Sequence, residues 1–117
     1  MPSDAARFPP LAVPARLNTV TRAEFRRAAL EHVEQAARAG ASAVEFDLSA
    51  TTDVDASGLG ILVMVHKLAG THSLPVRLLH APVALRQLLE LTRLEALFEI
   101  ESREEEKGET ERRNEGA

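Results

Sequence analysis

The chain contains no cysteine. That removes a disulfide scaffold and a thiolate metal site, and it fits a reducing compartment. Tryptophan and tyrosine are missing too, and only four phenylalanines supply the aromatic content of 117 residues. So few rings leave little for stacking on bases or sugars, which argues against nucleic-acid partners held by stacking. No apolar run approaches the roughly 20 residues that cross a bilayer, so direct membrane insertion is not expected. Residues 1–10 lack the basic-then-apolar order of a secretory leader, and the expected location is cytoplasmic. Excess positive charge is absent as well: the formal net charge is −4. From Glu101 onward seven acidic and four basic residues carry −3 of that total, leaving −1 for everything before it. A nearly neutral body disfavours a phosphate backbone as partner, although a local basic patch is compatible with it.

What is present is aliphatic. Apolar residues make up 44% of the chain, and Leu, Val, Ile and Ala account for nearly all of them. Length and composition together point to one domain with one core. The composition divides the chain into an N-terminal extension at 1–10, a folded domain at 11–101 and a charged, apolar-poor tail at 102–117. The tail is expected to be disordered.

Prolines at 9, 10 and 14 restrict the first strand to a short edge segment near residues 11–13. Residues 16–20 read as a connection. Thr21 and Glu24 have the spacing of a capping box. A helical period follows over 22–39, with Phe25, Ala28, Ala29, Val33 and Ala36 on one face and Gly40 at its end. Val44, Phe46 and Leu48 alternate with Glu45 and Asp47, predicting a strand whose acidic face is solvated. Residues 49–55 form a turn-rich loop, and 57–70 are apolar on almost every side, as in a helix buried against a sheet. Pro75 to His80 reads as a strand. Pro82 opens a helix with Val83, Leu85, Leu88, Leu89 and Leu91 as core positions, and residues 97–100 form the last strand. The order is a strand followed by helix–strand three times. It predicts an α/β fold: a single small domain with a mixed, mostly parallel sheet and helices packed against it.

Gly58 and Gly60 stand in the first turn of the second helix, where each costs about 1 kcal/mol relative to Ala. Close approach of a neighbouring backbone, or of a partner, would account for both.

The stretch Asp47-Leu48-Ser49, a short loop, then Asp55-Ala56-Ser57-Gly58-Leu59-Gly60 resembles the signature of STAS domains, the family that includes bacterial anti-sigma factor antagonists. Residues 75–79, 83–91 and 94–98 fit the later strand, helix and Leu-Phe ending, so the resemblance spans about 11–100. It implies a STAS-like fold and a partner that is an anti-sigma factor doubling as a serine kinase. It also implies that docking runs through Asp55, Ala56, Ser57, Gly58, Leu59 and Gly60. In the family, the residue after the motif Asp is the phosphorylated Ser or Thr. Here that position is Ala56, which has no hydroxyl. Either Ser57 has taken over as phosphoacceptor, or the module binds constitutively. The second alternative is favoured, because one residue along a helix turns a side chain by about 100°. A different role implied by the family is that of a STAS subunit in a lipid-transport ABC complex, which a missing phosphoacceptor also suits.

Other chemistries have weaker support. His32, His66, His72 and His80 include no pair at i, i+4 and no HExxH, so no metal is expected. Ser57 does not stand in a Gly-x-Ser-x-Gly elbow. Gly58-x-Gly60 lacks the third glycine of a dinucleotide fingerprint and the Lys of a P-loop. A non-enzymatic module with no cofactor is the expectation. The plain reading of Ser57 is a first-turn hydroxyl bonding a backbone N–H, and that of Asp55 a carboxylate favoured by the helix dipole.

Overall fold

A computed structural model describes residues 8–102, and the predicted N-terminal extension and tail fall mostly outside them. In chain order the elements are β1 (Leu11–Ala12), β2 (Arg16–Leu17), α1 (Arg22–Arg38), β3 (Val44–Asp47), β4 (Asp53–Val54) and α2 (Ala56–Thr71). After them come β5 (Val76–Ala81), α3 (Val83–Leu91), a 3₁₀ turn (Glu95–Leu97) and β6 (Glu99–Ser102). The main sheet has the order β1-β3-β5-β6, and all its pairings are parallel. Stepping one way across the sheet, right-handed crossovers lay α1, α2 and α3 on the same face. The buried residues of all three helices join those of the strands in one core cluster. This is the predicted α/β domain.

Val44, Phe46 and Leu48 are fully buried on the helix-bearing face of the sheet, as alternation requires. The acidic face departs from expectation. Glu45 is only 2% exposed. Arg77 stands opposite it in register on β5 and bonds its carboxylate at 2.8 Å, while holding Glu99 of β6 at 3.1 Å. A central parallel strand has neighbours on both sides, and a long guanidinium from one of them covers the carboxylate. Asp47 at the strand end accepts from the Ser49 N–H at 2.9 Å.

Three further differences have local causes. The capping box does not form. Thr21 has helical dihedrals, and its hydroxyl donates to the Arg16 carbonyl at 2.6 Å. Asn18 makes the turn into α1 instead, its Oδ1 accepting from the N–H groups of Val20 and Thr21. Ala28 is exposed, one residue and about 100° from buried Ala29. Leu91 is 83% exposed, because it lies two residues and about 200° beyond the inward-facing Leu89. The last strand begins two residues later than expected, after the 3₁₀ turn takes up Leu97, and Pro82 caps α3 rather than starting it. Gly40 has the left-handed φ of +72° expected at the end of α1.

His32 of α1 is buried, its ring edge-on to Phe46 with centroids 5.3 Å apart and Phe8 beside it at 5.4 Å. Its Nε2–H donates to the Glu45 carbonyl at 3.0 Å. Burial is the larger influence on this ring and lowers its pKa, against the opposing pull of the carbonyl. The unfolded chain therefore binds the proton more readily. Stability should be fully present above the ordinary histidine value of about 6.5 and decline as pH falls below it. Urea unfolding between pH 7.5 and pH 5 should show this decline, and His32→Gln should flatten it.

Candidate functional site

The site predicted at 55–60 is built from two distant segments. The first supplies β2, which pairs in parallel with β4: Arg16 stands opposite Asp53, and Leu17 opposite Val54. Two-residue strands inside stretches rich in polar and turn residues carry no alternation, so both were read as loop. Carbonyls of the first segment receive the second. The Ala15 carbonyl accepts from the N–H groups of Thr52 and Asp53, and the Leu17 carbonyl accepts from Asp55 N–H at 3.2 Å. Thr51, fully buried, places its Oγ1 3.0 Å from the Pro14 carbonyl and 3.2 Å from that of Val13. The loop after β3 is thereby fixed to the chain just after β1. Leu17 and Thr51 were not singled out from the sequence, because each is recognisable only once its partner segment is in place.

Gly58 closes the assembly. A Cβ built there would lie 2.5 Å from the Leu17 carbonyl oxygen and 2.8 Å from its Cγ. Only hydrogen fits, so the predicted close approach of a neighbouring backbone is real at this position. At Gly60 it is not: a Cβ there would have nothing within 4 Å, and the residue is exposed. Nothing inside the fold accounts for the second glycine.

Asp55 caps α2. It is extended at φ −93° and ψ −174°, and its Oδ1 accepts from the Gly58 N–H at 3.0 Å. The Ser57 hydroxyl donates to the same oxygen at 2.7 Å. Ser57 thus serves the capping carboxylate and not a backbone N–H, which corrects the plain reading of its role. The Gly58 N–H foremost, then the Ser57 hydroxyl, hold the Asp55 carboxyl below the ordinary carboxylate range, and the charge of Arg22 adds to this. Among the described residues neither Asp55 nor Ser57 bonds to a histidine, and no group of three or more His, Asp or Glu could hold a metal ion.

Burial divides the predicted residues. Asp55, Ala56 and Gly60 are exposed, Ser57 is half-buried, and Gly58 and Leu59 are buried. Below them α2 buries Ile61, Leu62, Val65 and Ala69. The tip therefore presents a small, almost uncharged outer surface on a fixed base. Among the described residues no helix is long and apolar enough to cross a membrane.

The profile of a protein family described as "Mlab, STAS domain" matches residues 9–99. The chain belongs to the STAS domain family. A solved structure from Thermotoga maritima, described as that of a candidate anti-sigma factor antagonist, has a similar fold. The TM-score is 0.66 at 20% sequence identity, over 84% of this chain and 82% of that one. No curated protein sequence matches significantly. STAS domains are typically non-enzymatic binding modules, so this membership gives the chain a protein-interaction role.

The two glycines of this STAS domain should separate cleanly in stability. Gly58→Ala forces backbone against Cβ and should cost on the order of 1–3 kcal/mol. Gly60→Ala adds a methyl in open space within a helix and should be neutral or stabilising by up to about 1 kcal/mol. Equilibrium urea denaturation of both variants reads the difference.

Proposed function

We propose that this STAS domain is a regulatory module of the anti-sigma factor antagonist type, docking on a kinase-type anti-sigma factor through the α2 tip at residues 55–60. The observation behind this reading is the split of the tip. Gly58 and Leu59 are held by the fold, whereas Ala56 and Gly60 face solvent, and among the described residues nothing crowds Gly60. A glycine that weakens its helix without relieving any crowding is explained by a partner that comes close to its backbone.

Ala56 stands where related proteins carry the phosphorylated hydroxyl, so the module binds without a covalent off-state. A phosphate there would add a charge of about −2 to the helix end. Ser57 is the poorer acceptor, because its hydroxyl is already bonded to the carboxylate that caps the helix. The working location is the cytoplasm, with no metal or cofactor in the interaction.

One observation favours a second reading. The matched family carries the description "Mlab", and stand-alone STAS domains also serve as subunits of lipid-transport ABC complexes. A tip without a phosphoacceptor suits a permanent subunit.

Affinity capture from native cells, followed by mass spectrometry, separates the two. Recovery of a histidine-kinase-like ATPase supports the first reading, and recovery of permease and transporter ATPase subunits supports the second. Either partner should be lost with Gly60→Gln while the fold remains intact. Full retention by that variant would sink the tip as docking surface. Incubated with the captured kinase and ATP, the native chain should show no phosphate by intact mass, and Ala56→Ser should gain one.

A further inference from the structure

Among the described residues, Ser73, His80 and Arg93 have a left-handed backbone without being glycine, with φ of 58°, 58° and 59°. Two of them end helices. Beyond α2 the Ser73 N–H donates to the Gly70 carbonyl and the Leu74 N–H to that of Ala69. Beyond α3 the Arg93 N–H donates to the Glu90 carbonyl and the Leu94 N–H to that of Leu89. Satisfying the last carbonyls in this way is what a left-handed residue does at a helix C-terminus. His80 has no helix to close. It lies inside β5, where the chain is otherwise extended.

Leu78 pairs with Ile100 and Ala81 with Ser102, so Leu79 and His80 together face the single residue Glu101. This is a β-bulge, and bulges are rare between parallel strands. Regular alternation after Val76 and Leu78 would turn position 80 toward the helix-bearing face. With the extra residue in place, His80 is exposed and Ala81 is fully buried. The bulge stands at the end of the sheet that carries the α2 tip. The Leu79 carbonyl, immediately before His80, accepts the N–H of Leu48, where the chain enters the loop leading to the tip. On the other side Pro82 caps α3, and α3 touches β4, the strand that leads into Asp55.

We propose that His80 is a contact residue of the docking surface, held outward by the bulge so that its ring meets the same protein partner as Ala56 and Gly60. This extension rests on the function proposed above. A left-handed conformation is disfavoured for a side chain with a Cβ, and a bulge leaves one residue of the ladder unpaired. Backbone strain of this kind collects at ligand clamps and switch regions, where the aim of a side chain matters more than stability. The location agrees: open parallel sheets receive their ligands beyond the C-terminal ends of the strands. His80 also supplies what the tip lacks. Ala56 and Gly60 offer a low surface, whereas an imidazole brings hydrogen-bonding nitrogens and a flat ring. The partner it fits carries a hydrogen-bonding group beside the patch that closes on the tip.

Relief of the strain separates a docking role from a structural one. The ATPase recovered by capture with the native chain, once purified, is the probe. His80→Gly suits the left-handed backbone, so its urea midpoint should be no lower than that of the native chain. Its affinity for the ATPase should nevertheless fall at least about tenfold. His80→Asn, also at ease in this conformation, should behave likewise. Ser73→Gly relieves the same backbone at the opposite end of the sheet and should keep its affinity within about twofold. Native-like affinity of His80→Gly would overturn the proposal, and so would a lowered urea midpoint, which would make the ring a prop of the fold. If Gly60→Gln loses the ATPase while His80→Gly keeps it, the docking function stands and only this extension fails. If both variants keep it, or the native chain recovers none, the docking function at the tip fails as well.

Discussion

Contact between the Gly58 backbone and Leu17 fixes the N-terminal end of α2 and with it the candidate site. Leu17 belongs to a two-residue strand with little stability of its own, yet it is fully buried. Its side chain and carbonyl occupy the space that any residue but glycine would need at position 58. The same carbonyl accepts the Asp55 N–H. One residue thereby sets both the depth to which α2 sinks and the position of its cap. Thr51 adds a buried anchor on the Pro14 side. The base of the tip is packed backbone against backbone, with little freedom to adapt.

Above that base the surface has the opposite character. Ala56 and Gly60 lie one helical turn apart, exposed and nearly featureless. A rigid support beneath a low-relief surface limits the ordering lost when another protein binds. The only charge at the outermost position, Asp55, is already committed to capping. Charged side chains of both signs lie to the side, with Arg16, Arg22 and Arg26 interspersed with Glu24 and Asp53.

Much of the fold was legible in the sequence because periodicity survives in long elements. The alternation of Val44, Phe46 and Leu48, the stripe of α1 and the apolar run of α2 all marked elements that formed where expected. Glu45 was misread because alternation shows which face a side chain takes, not whether Arg77 from a neighbouring strand will cover it. The Thr21–Glu24 box was misread because Asn18, three residues earlier, takes the Thr21 N–H, and the Arg16 carbonyl takes the Thr21 hydroxyl. At the tip, the motif and the odd glycines drew attention to residues 55–60, and the structure gives the two glycines different surroundings. One answers to Leu17, 41 positions earlier in the sequence, and no local reading could find that contact. The other answers to nothing among the described residues.

The β2–β4 pairing has a kinetic corollary. Arg16 and Asp53 meet only after the chain between them has closed into a loop of almost forty residues. Contacts so far apart in sequence lose much chain entropy before they return any stabilisation. On a growing or partly folded chain, α2 can coil locally while its cap still lacks the Leu17 carbonyl beneath it. The seated tip is therefore a feature of the finished fold, absent from a chain in which α2 alone has formed.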